Sequence, residues 1–278
     1  SSSALYPLSQ TMIHSRQSFI NLKNARCFLL DMDGTIFLGD QLLPSAERFL
    51  RLLRQRGMKY LFLTNNSSSH RGRYAAKLQR LGLDVGEEEI FTSGEATARY
   101  LKKQKPGARI YLVGTPALEE EFASHGFMLV QEEPDFAVLG FDTTLTYEKL
   151  WRLCDFVREG RPYIATHPDV NCPTEDGFKP DIGAMMALVE ASTGRQADVI
   201  VGKPNPPLIE AVEEKTGISI SQMCMVGDRL YTDIALGQAG VTTILVLTGE
   251  TKRADLTTAP HQPDYVMRNL VELADALE

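Results

Sequence analysis

The chain has 278 residues, of which 43% are hydrophobic and 23% charged, with a formal net charge of −7 at pH 7. These values are typical of a globular protein, and the length suits two domains or one domain with a large insertion. An acidic chain without a basic stripe does not favour nucleic acid as a partner. Because no apolar run reaches about 18 residues, we expect no transmembrane helix and no membrane partner.

The chain has four cysteines, none in a CxxC pair and none beside a histidine cluster: Cys27, Cys154, Cys172 and Cys224. Buried free thiols are the expected state, which is typical of a reducing cytoplasm. The N-terminus lacks the apolar core of a signal peptide, and we interpret residues 1–10 as a loose tail. We therefore predict a cytoplasmic protein.

The first part of the chain alternates short apolar strands with amphipathic helices. Strands are predicted at 28–30, 59–63 and 90–92, and helices between Ser45 and Gly57 and over 71–81. This alternation indicates right-handed βαβ crossovers and a parallel sheet.

The same alternation continues from about Arg99 to Gln196. Strands are predicted at 110–113, 136–140 and 163–165, and helices at 117–124, 147–159 and 182–193. We interpret residues 99–196 as a second α/β module inserted into a core made of 1–98 and 197–278. One large continuous sheet is the alternative, and the family resemblance described below is the main reason to prefer the insertion.

The last part of the chain returns to the core pattern. Strands are predicted at 198–201, 223–226 and 242–247, and helices at 207–216, 231–239 and 270–277. Proline at the start of the first of these helices is typical of a helix N-terminus.

Four of the predicted strands end in polar residues of different kinds. These residues are Asp31 and Asp33; Thr64, Asn65 and Asn66; Lys203; and Asp228, with Asp233 five residues on. If the strands share one parallel sheet, their carboxyl ends meet at one edge. Carboxylates, an ammonium group, and hydroxyl and amide donors together suit a divalent metal and a phosphoryl group.

Each motif alone has a plainer interpretation. Asp31-Met32-Asp33 could be a solvated turn, Thr64-Asn65-Asn66-Ser67 a loop that caps a helix, and Lys203 an exposed loop residue. As a set, they predict that one carboxylate attacks phosphorus and a second moves a proton. Lys203, Thr64 and nearby backbone N–H groups would bind the phosphoryl oxygens.

The combined motifs resemble those of the haloacid dehalogenase superfamily. Asp31-Met32-Asp33-Gly34-Thr35 resembles its first motif, Thr64-Asn65-Asn66 its second, Lys203-Pro204 its third, and Gly227-Asp228 through Asp233 its fourth. The long insert and the segments Thr64–Ser67 and Val201–Pro204 are similar to the NagD-like or para-nitrophenyl phosphatase branch. The resemblance covers about Arg26 to Leu247.

This resemblance implies a Rossmann-like parallel-sheet core with a large inserted α/β cap domain, and a Mg²⁺-dependent phosphatase of small phosphate esters. It implies Asp31 as nucleophile and metal ligand, and Asp33 as acid/base with its backbone carbonyl on the metal. Asp228 would be a second carboxylate ligand, and Asp233 would support the metal waters. Caps of this type can pair, which is compatible with a homodimer through the cap.

Other functions stay open at this point. A dehalogenase needs neither a metal nor an acid, so Asp33 and Asp228 argue against it, and a phosphomutase belongs to branches with other caps. A phospho-aspartate receiver module would need neither Asp33 as acid nor so large an insertion. The substrate also stays open, as does the place of the polar stretch from His167 to Gly177, which either reads the leaving group or is a solvent-exposed loop.

Overall fold

The structure, a computed structural model, describes Met12–Ile13 and residues 20–278. The predicted tail at residues 1–10 lies outside the described residues. Within them, no helix is both long enough and apolar enough to cross a membrane.

The strands of the described chain are, in order, β1 Met12–Ile13, β2 Cys27–Leu30, β3 Phe37–Leu38, β4 Gln41–Leu42, β5 Lys59–Thr64, β6 Ile90–Thr92, β7 Arg109–Val113, β8 Met128–Leu129, β9 Phe136–Leu139, β10 Tyr163–Ala165, β11 Asn171–Thr174, β12 Gly177–Pro180, β13 Val199–Ile200, β14 Met223–Gly227, β15 Thr242–Val246 and β16 Tyr265–Met267. The α-helices are α1 Ala46–Gln55, α2 Arg71–Arg80, α3 Ser93–Gln104, α4 Pro116–Ser124, α5 Tyr147–Arg158, α6 Ile182–Thr193, α7 Pro206–Thr216 and α8 Leu270–Leu277.

The chain divides into two compact units. The first contains the chain up to Leu63, Ala75–Ile90 and Thr216–Glu278, and the second contains Thr64–Tyr74 and Phe91–Lys215. The boundaries 99–196 of the inserted module stay a prediction.

The first unit is built on a sheet with the strand order β1–β16–β15–β14–β2–β5–β6. The strands from β16 to β5 pair in parallel, and β1 pairs with β16 antiparallel. Every residue of β2 and of β14 is buried, which is why both strands read as unbroken apolar runs rather than as an alternating pattern. The mixed α/β class with a Rossmann-like core is confirmed.

The second unit contains a parallel sheet with the order β13–β10–β9–β7–β8. Its core includes Tyr111, Leu153, Phe156 and Tyr163. The expectation that all four motif-bearing strands share one sheet is wrong, because β13, which precedes Lys203, pairs with β10 of this sheet. Asp198 directs it there: its N–H donates to the Tyr163 carbonyl at 2.7 Å, and its carboxylate accepts from the Tyr163 N–H at 2.8 Å.

Two predicted segments have a different form in the structure. The helix predicted over 231–239 is a series of turns followed by a 3-10 helix at Ile234–Ala239. The carboxylate of Asp233 accepts from the Arg229 N–H at 3.2 Å, which tightens the preceding turn. The polar stretch after β10 contains the antiparallel hairpin β11–β12, which the sequence pattern did not predict.

Candidate active site

Three aspartates of the first unit form a compact acidic cluster. Asp31 follows β2, Asp228 follows β14, and Asp233 lies in the turns beyond; one carboxylate oxygen from each lies within 4.8 Å of the others. Strands β2 and β14 are parallel neighbours, with Leu30 paired to Val226, so both chains leave the sheet at the same edge. Parallel pairing therefore brings together residues that are about 200 positions apart in the sequence.

Asp228 is held by contacts on both carboxylate oxygens. Its Oδ2 accepts from the Glu250 N–H at 2.9 Å, and its Oδ1 accepts from the Thr35 hydroxyl at 3.3 Å. Burial raises the pKa of Asp228 well above its usual range, and the hydrogen bond and charge of Asp31 raise it further. Several negative charges at this site are therefore unfavourable unless a cation or a proton compensates them.

Glycines let the chain approach these carboxylates closely. Gly34 has φ +84°, and a Cβ there would collide with the Asp228 carboxylate, as would one at Gly249. A Cβ at Gly227 would collide with Asp233 in the same way. Larger residues at these positions would displace the acidic side chains.

The acidic cluster fits a metal ion. Its donors are carboxylate oxygens, two of its members are almost fully buried, and repulsion from Asp31 adds to burial in raising the pKa of Asp228. Hard divalent cations prefer such donors and would relieve that repulsion. Asp31, Asp228 and Asp233 could hold a metal.

Arg229 follows Asp228 in the sequence. Burial lowers the pKa of its guanidinium, but the negative charges of Asp31 and Glu250 act against burial and the pKa is raised.

Among the described residues, the Asp33 side chain is not a member of this cluster. It is exposed, and its Oδ1 accepts from the Gly39 N–H at 3.3 Å. An exposed carboxylate on the loop after β2 can reach a solvent-facing ligand. Its assignment as acid/base, and its backbone carbonyl as a metal ligand, stay predictions.

Thr64 is the last residue of β5, and Asn65 and Asn66 follow it directly. The Asn66 N–H donates to the Thr64 hydroxyl at 3.1 Å, and the Asn66 side-chain oxygen accepts from the Ser68 N–H at 2.8 Å. These local hydrogen bonds fold the segment into tight turns before α2 begins.

Asn65 and Lys203 are brought together in the second unit, and both are buried. The Asn65 side-chain oxygen accepts from the Lys203 N–H at 2.8 Å, and its Nδ2 donates to the Lys203 carbonyl at 3.0 Å. The second and third motifs are therefore joined by a two-point contact on the lysine backbone. The acidic cluster belongs to the first unit, whereas the second unit contains Thr64, Asn65, Asn66 and Lys203. One pocket shared by the two sets of residues stays a prediction.

Contacts from the segment after β15 were missed by the sequence reasoning. Thr248 donates its hydroxyl to the Gly34 carbonyl at 2.7 Å, and Glu250 supplies the backbone donor to Asp228. The signal was present, because Thr248-Gly249-Glu250-Thr251 follows an apolar strand in the way that the other motifs do.

Comparison with known proteins agrees with this architecture. A model of haloacid dehalogenase-like hydrolases matches residues 28–128, and a HAD-hydrolase-like model matches 200–273. The crystal structure of 4-nitrophenylphosphatase from Thermotoga maritima is 49% identical, with a TM-score of 0.86, and the match covers 93% of this chain and all of that one.

Relatives with named activities are similar over nearly their whole length. 5'-Nucleotidase YutF from Bacillus subtilis is 36% identical over 90% of this chain and 98% of its own, and dihydroxyacetone phosphatase from Corynebacterium glutamicum is 34% identical over 89% and 90%. NagD from Escherichia coli K-12 is 33% identical, with a TM-score of 0.83 over 90% of this chain and 98% of its own. The resemblance seen in the motifs is thereby confirmed: the chain belongs to the haloacid dehalogenase superfamily, in its NagD-like branch of phosphatases.

Proposed function

We propose that this phosphatase hydrolyses small phosphorylated metabolites through an aspartyl-phosphate formed on Asp31. The observation that carries the proposal is the placement of Asp31 beside Asp228 and Asp233, with carboxylate oxygens within 4.8 Å of one another at the end of β2. A nucleophilic carboxylate needs such a site, because an anion must approach an anionic phosphate.

The reaction takes place in two displacements. An Asp31 oxygen attacks phosphorus, the ester P–O bond breaks with its electron pair on the leaving oxygen, and Asp33 gives that oxygen its proton. Water then attacks the same phosphorus while Asp33 takes a proton from it. The bond between phosphorus and the Asp31 oxygen breaks, so inorganic phosphate leaves and both aspartates regain their starting states.

Mg²⁺ is the proposed cofactor. Asp31, Asp228 and Asp233 would hold it, with the Asp33 carbonyl as a further ligand; when bound, it neutralises charge between the carboxylates and the phosphoryl oxygens. Thr64, Lys203 and the backbone N–H groups of the Asn65–Asn66 segment bind the phosphoryl oxygens in this proposal.

Residues 99–196 are proposed to act as a cap that closes over the phosphate ester, and two copies of the chain are proposed to pair through it. Cys27, Cys154, Cys172 and Cys224 are all free thiols, which supports a cytoplasmic location. Mass measurement in solution tests the homodimer.

The relatives support nucleotide and sugar phosphates as the first substrates to try. They include proteins named 5'-nucleotidase, acid sugar phosphatase and dihydroxyacetone phosphatase. Phosphate release across such a panel, with and without Mg²⁺, would identify the preferred leaving group.

The nucleophile is tested with an aryl phosphate as a generic phosphate ester. Asp31→Asn is expected to lower kcat by at least about 1,000-fold, because the amide cannot form the acyl phosphate.

Asp33→Asn is expected to slow breakdown of the intermediate, so that acid-quenched single turnovers trap phosphorylated protein. Asp40→Asn, at an exposed acid in the nearby turn between β3 and β4, is the control and should keep full activity. Retained turnover in Asp31→Asn would contradict the assignment.

A further inference from the structure

A buried histidine–carboxylate pair lies in the second unit, and the proposed reaction does not use it. His167, two residues after β10, is fully buried, and Asp181, the N-cap residue of α6, is 4% exposed. The His167 Nε2 lies 2.7 Å from Asp181 Oδ1, which also accepts from the Ile182 N–H at 2.6 Å. The carboxylate therefore determines that Nε2 carries a proton.

The other ring nitrogen of His167 contacts two hydroxyls. Its Nδ1 lies 2.9 Å from Thr166 Oγ1 and 3.2 Å from Ser93 Oγ. Ser93 donates its own proton to the Asn65 carbonyl at 2.5 Å. Because its one proton goes to Asn65, Ser93 meets Nδ1 only as a close polar contact, and the Thr166 hydroxyl is placed to donate to that nitrogen.

Asn65 connects this pair to the lysine of the third motif. Its main-chain carbonyl is held by Ser93, and its side chain holds both the N–H and the carbonyl of Lys203. Gly202 packs closely against both residues: a Cβ there would lie 2.7 Å from both Asn65 Oδ1 and the His167 Cβ. His167 is therefore linked to Asn65 through Ser93 and Gly202, and through Asn65 to the backbone of Lys203.

A buried ionisable pair is costly to maintain for stability alone. Apolar side chains of similar size stabilise an interior as well as a buried charge pair or better, whereas a satisfied polar network specifies one geometry. Ser93, His167 and Asp181 connect the starts of α3 and α6 to the end of β10 and to the two motif residues. The network is therefore arranged so that it could hold Asn65 and Lys203 in place.

We propose that His167, oriented by Asp181, is a positioning residue that fixes Asn65 through Ser93 and thereby sets the position of Lys203. The inference rests on the proposed function, in which Lys203 and the Asn65 segment bind the phosphoryl group. Loss of the support loosens phosphate binding without removing the nucleophile. A misplacement of about 1 Å at such a site can cost about 100-fold in rate.

The test compares His167→Ala, Ser93→Ala and the double variant in turnover of an aryl phosphate, with inorganic phosphate as competitive inhibitor. His125→Ala is the matched control: His125 pairs with Glu121 at 3.0 Å in the same unit. Each network variant is expected to lower kcat/KM at least about 10-fold and to raise both KM and the inhibition constant of phosphate by similar factors. The control should change neither constant.

A purely structural role would lower the active fraction, and hence kcat, while leaving KM and the phosphate inhibition constant unchanged. Because His167 and Ser93 act along one chain of contacts, the double variant should lose no more than the worse single variant, whereas independent effects would multiply. Unchanged KM and inhibition constants, or multiplying losses, would overturn the inference. If His167→Ala does not fold, Ser93→Ala, which removes one hydroxyl, decides the question.

The wild-type protein separates this inference from the proposed function. If it released no phosphate from any ester, both would be wrong. If it were active and Asp31-dependent but insensitive to Ser93→Ala and His167→Ala, the inference alone would be wrong.

Discussion

Asp228 is the residue at which the contacts of the acidic cluster converge. It meets Asp31 across the sheet edge, accepts from Thr35 and Glu250, and lies against two glycines that leave room for nothing larger. Its buried position and the neighbouring carboxylate favour the protonated form in the absence of a cation. The acid–base behaviour of Asp228 is thus a result of its burial and of the carboxylate beside it.

The metal-free protein should therefore be destabilised by Asp228 as the pH rises. Since the pKa of Asp228 is higher in the folded than in the unfolded chain, the folded state binds more protons between the two values, and its stability falls through that window. Asp228→Asn should remove this contribution. Urea unfolding in the presence of a chelator at pH 4 and pH 7 should show that the free energy of unfolding of Asp228→Asn increases relative to that of the wild type as the pH rises. The increase should be about 1.4 kcal/mol for each tenfold difference in the proton affinity of Asp228 between the folded and the unfolded wild type.

The opposite sign, with wild-type stability rising relative to Asp228→Asn between those pH values, would contradict the assignment of Asp228 as a repelled carboxylate. The Asp228→Asn variant should also lose phosphatase activity. The comparison uses the difference between two proteins, so the contributions of titrating groups distant from Asp228 cancel, whereas those of Asp31 and Arg229, which interact with it, belong to the measured difference.

At the scale of elements, the second unit is tied together by a buried carboxylate. Glu95, on α3, is 1% exposed. It contacts Arg71 of α2 at 3.1 Å, Arg99 of its own helix at 2.9 Å and Lys215, near the C-terminus of α7, at 2.9 Å. Three cations around one carboxylate repel one another if it is neutralised. The packing of these helices therefore depends on the charge of Glu95.

Glu95→Gln is expected to lower the free energy of unfolding by about 3 kcal/mol, because the amide keeps the shape but removes the buried charge that the three cations share. Of these cations, only the two arginines keep a second carboxylate, Glu121 and Glu214 respectively, among the ion pairs of the described chain. Glu47→Gln is the matched control, since Glu47 forms an exposed pair with Arg51 on α1 and should cost less than about 0.5 kcal/mol. Thermal melts followed by circular dichroism would measure both. Equal, small losses in the two variants would show that the Glu95 cluster contributes no more than a surface pair.

Element prediction was successful where local pattern and tertiary environment agree. The segments at β2, β5, β14 and α6 were expected within a residue or two of their observed bounds, because buried parallel strands are unbroken apolar runs and helices have an apolar face. Helix α3 was missed because its N-terminal half is small and polar, although Thr92 accepts from the Glu95 N–H at 3.0 Å as an N-cap. Hairpin β11–β12 was missed because its strands are mostly exposed.

For the whole molecule, the proposed metal links the site to folding. Three carboxylates contributed by segments distant in sequence approach within 4.8 Å only in the folded chain, so a cation that binds them stabilises that state. At 100 times its dissociation constant, such a ligand contributes about 2.7 kcal/mol.

Mg²⁺ at saturation should therefore raise the thermal midpoint of the chelator-treated protein by about 5 °C or more. Asp233→Asn should lose most of this rise, because Asp233 is fully buried in the cluster, whereas Asp40→Asn should keep it. Differential scanning calorimetry with and without Mg²⁺ provides the measurement. A full rise in Asp233→Asn would place the ion elsewhere.

The sequence alone determined the class of fold, the family and the chemical types at the strand ends, because buried strands, turns and catalytic motifs are local patterns. Tertiary structure decided which of those residues meet. It put Asp31, Asp228 and Asp233 in one cluster, left the Asp33 side chain outside it, and assigned the strand before Lys203 to the second sheet. It also buried His167, which the sequence placed in a polar loop, against Asp181, 14 positions away. Such pairings depend on strand order and on burial, which no local pattern encodes.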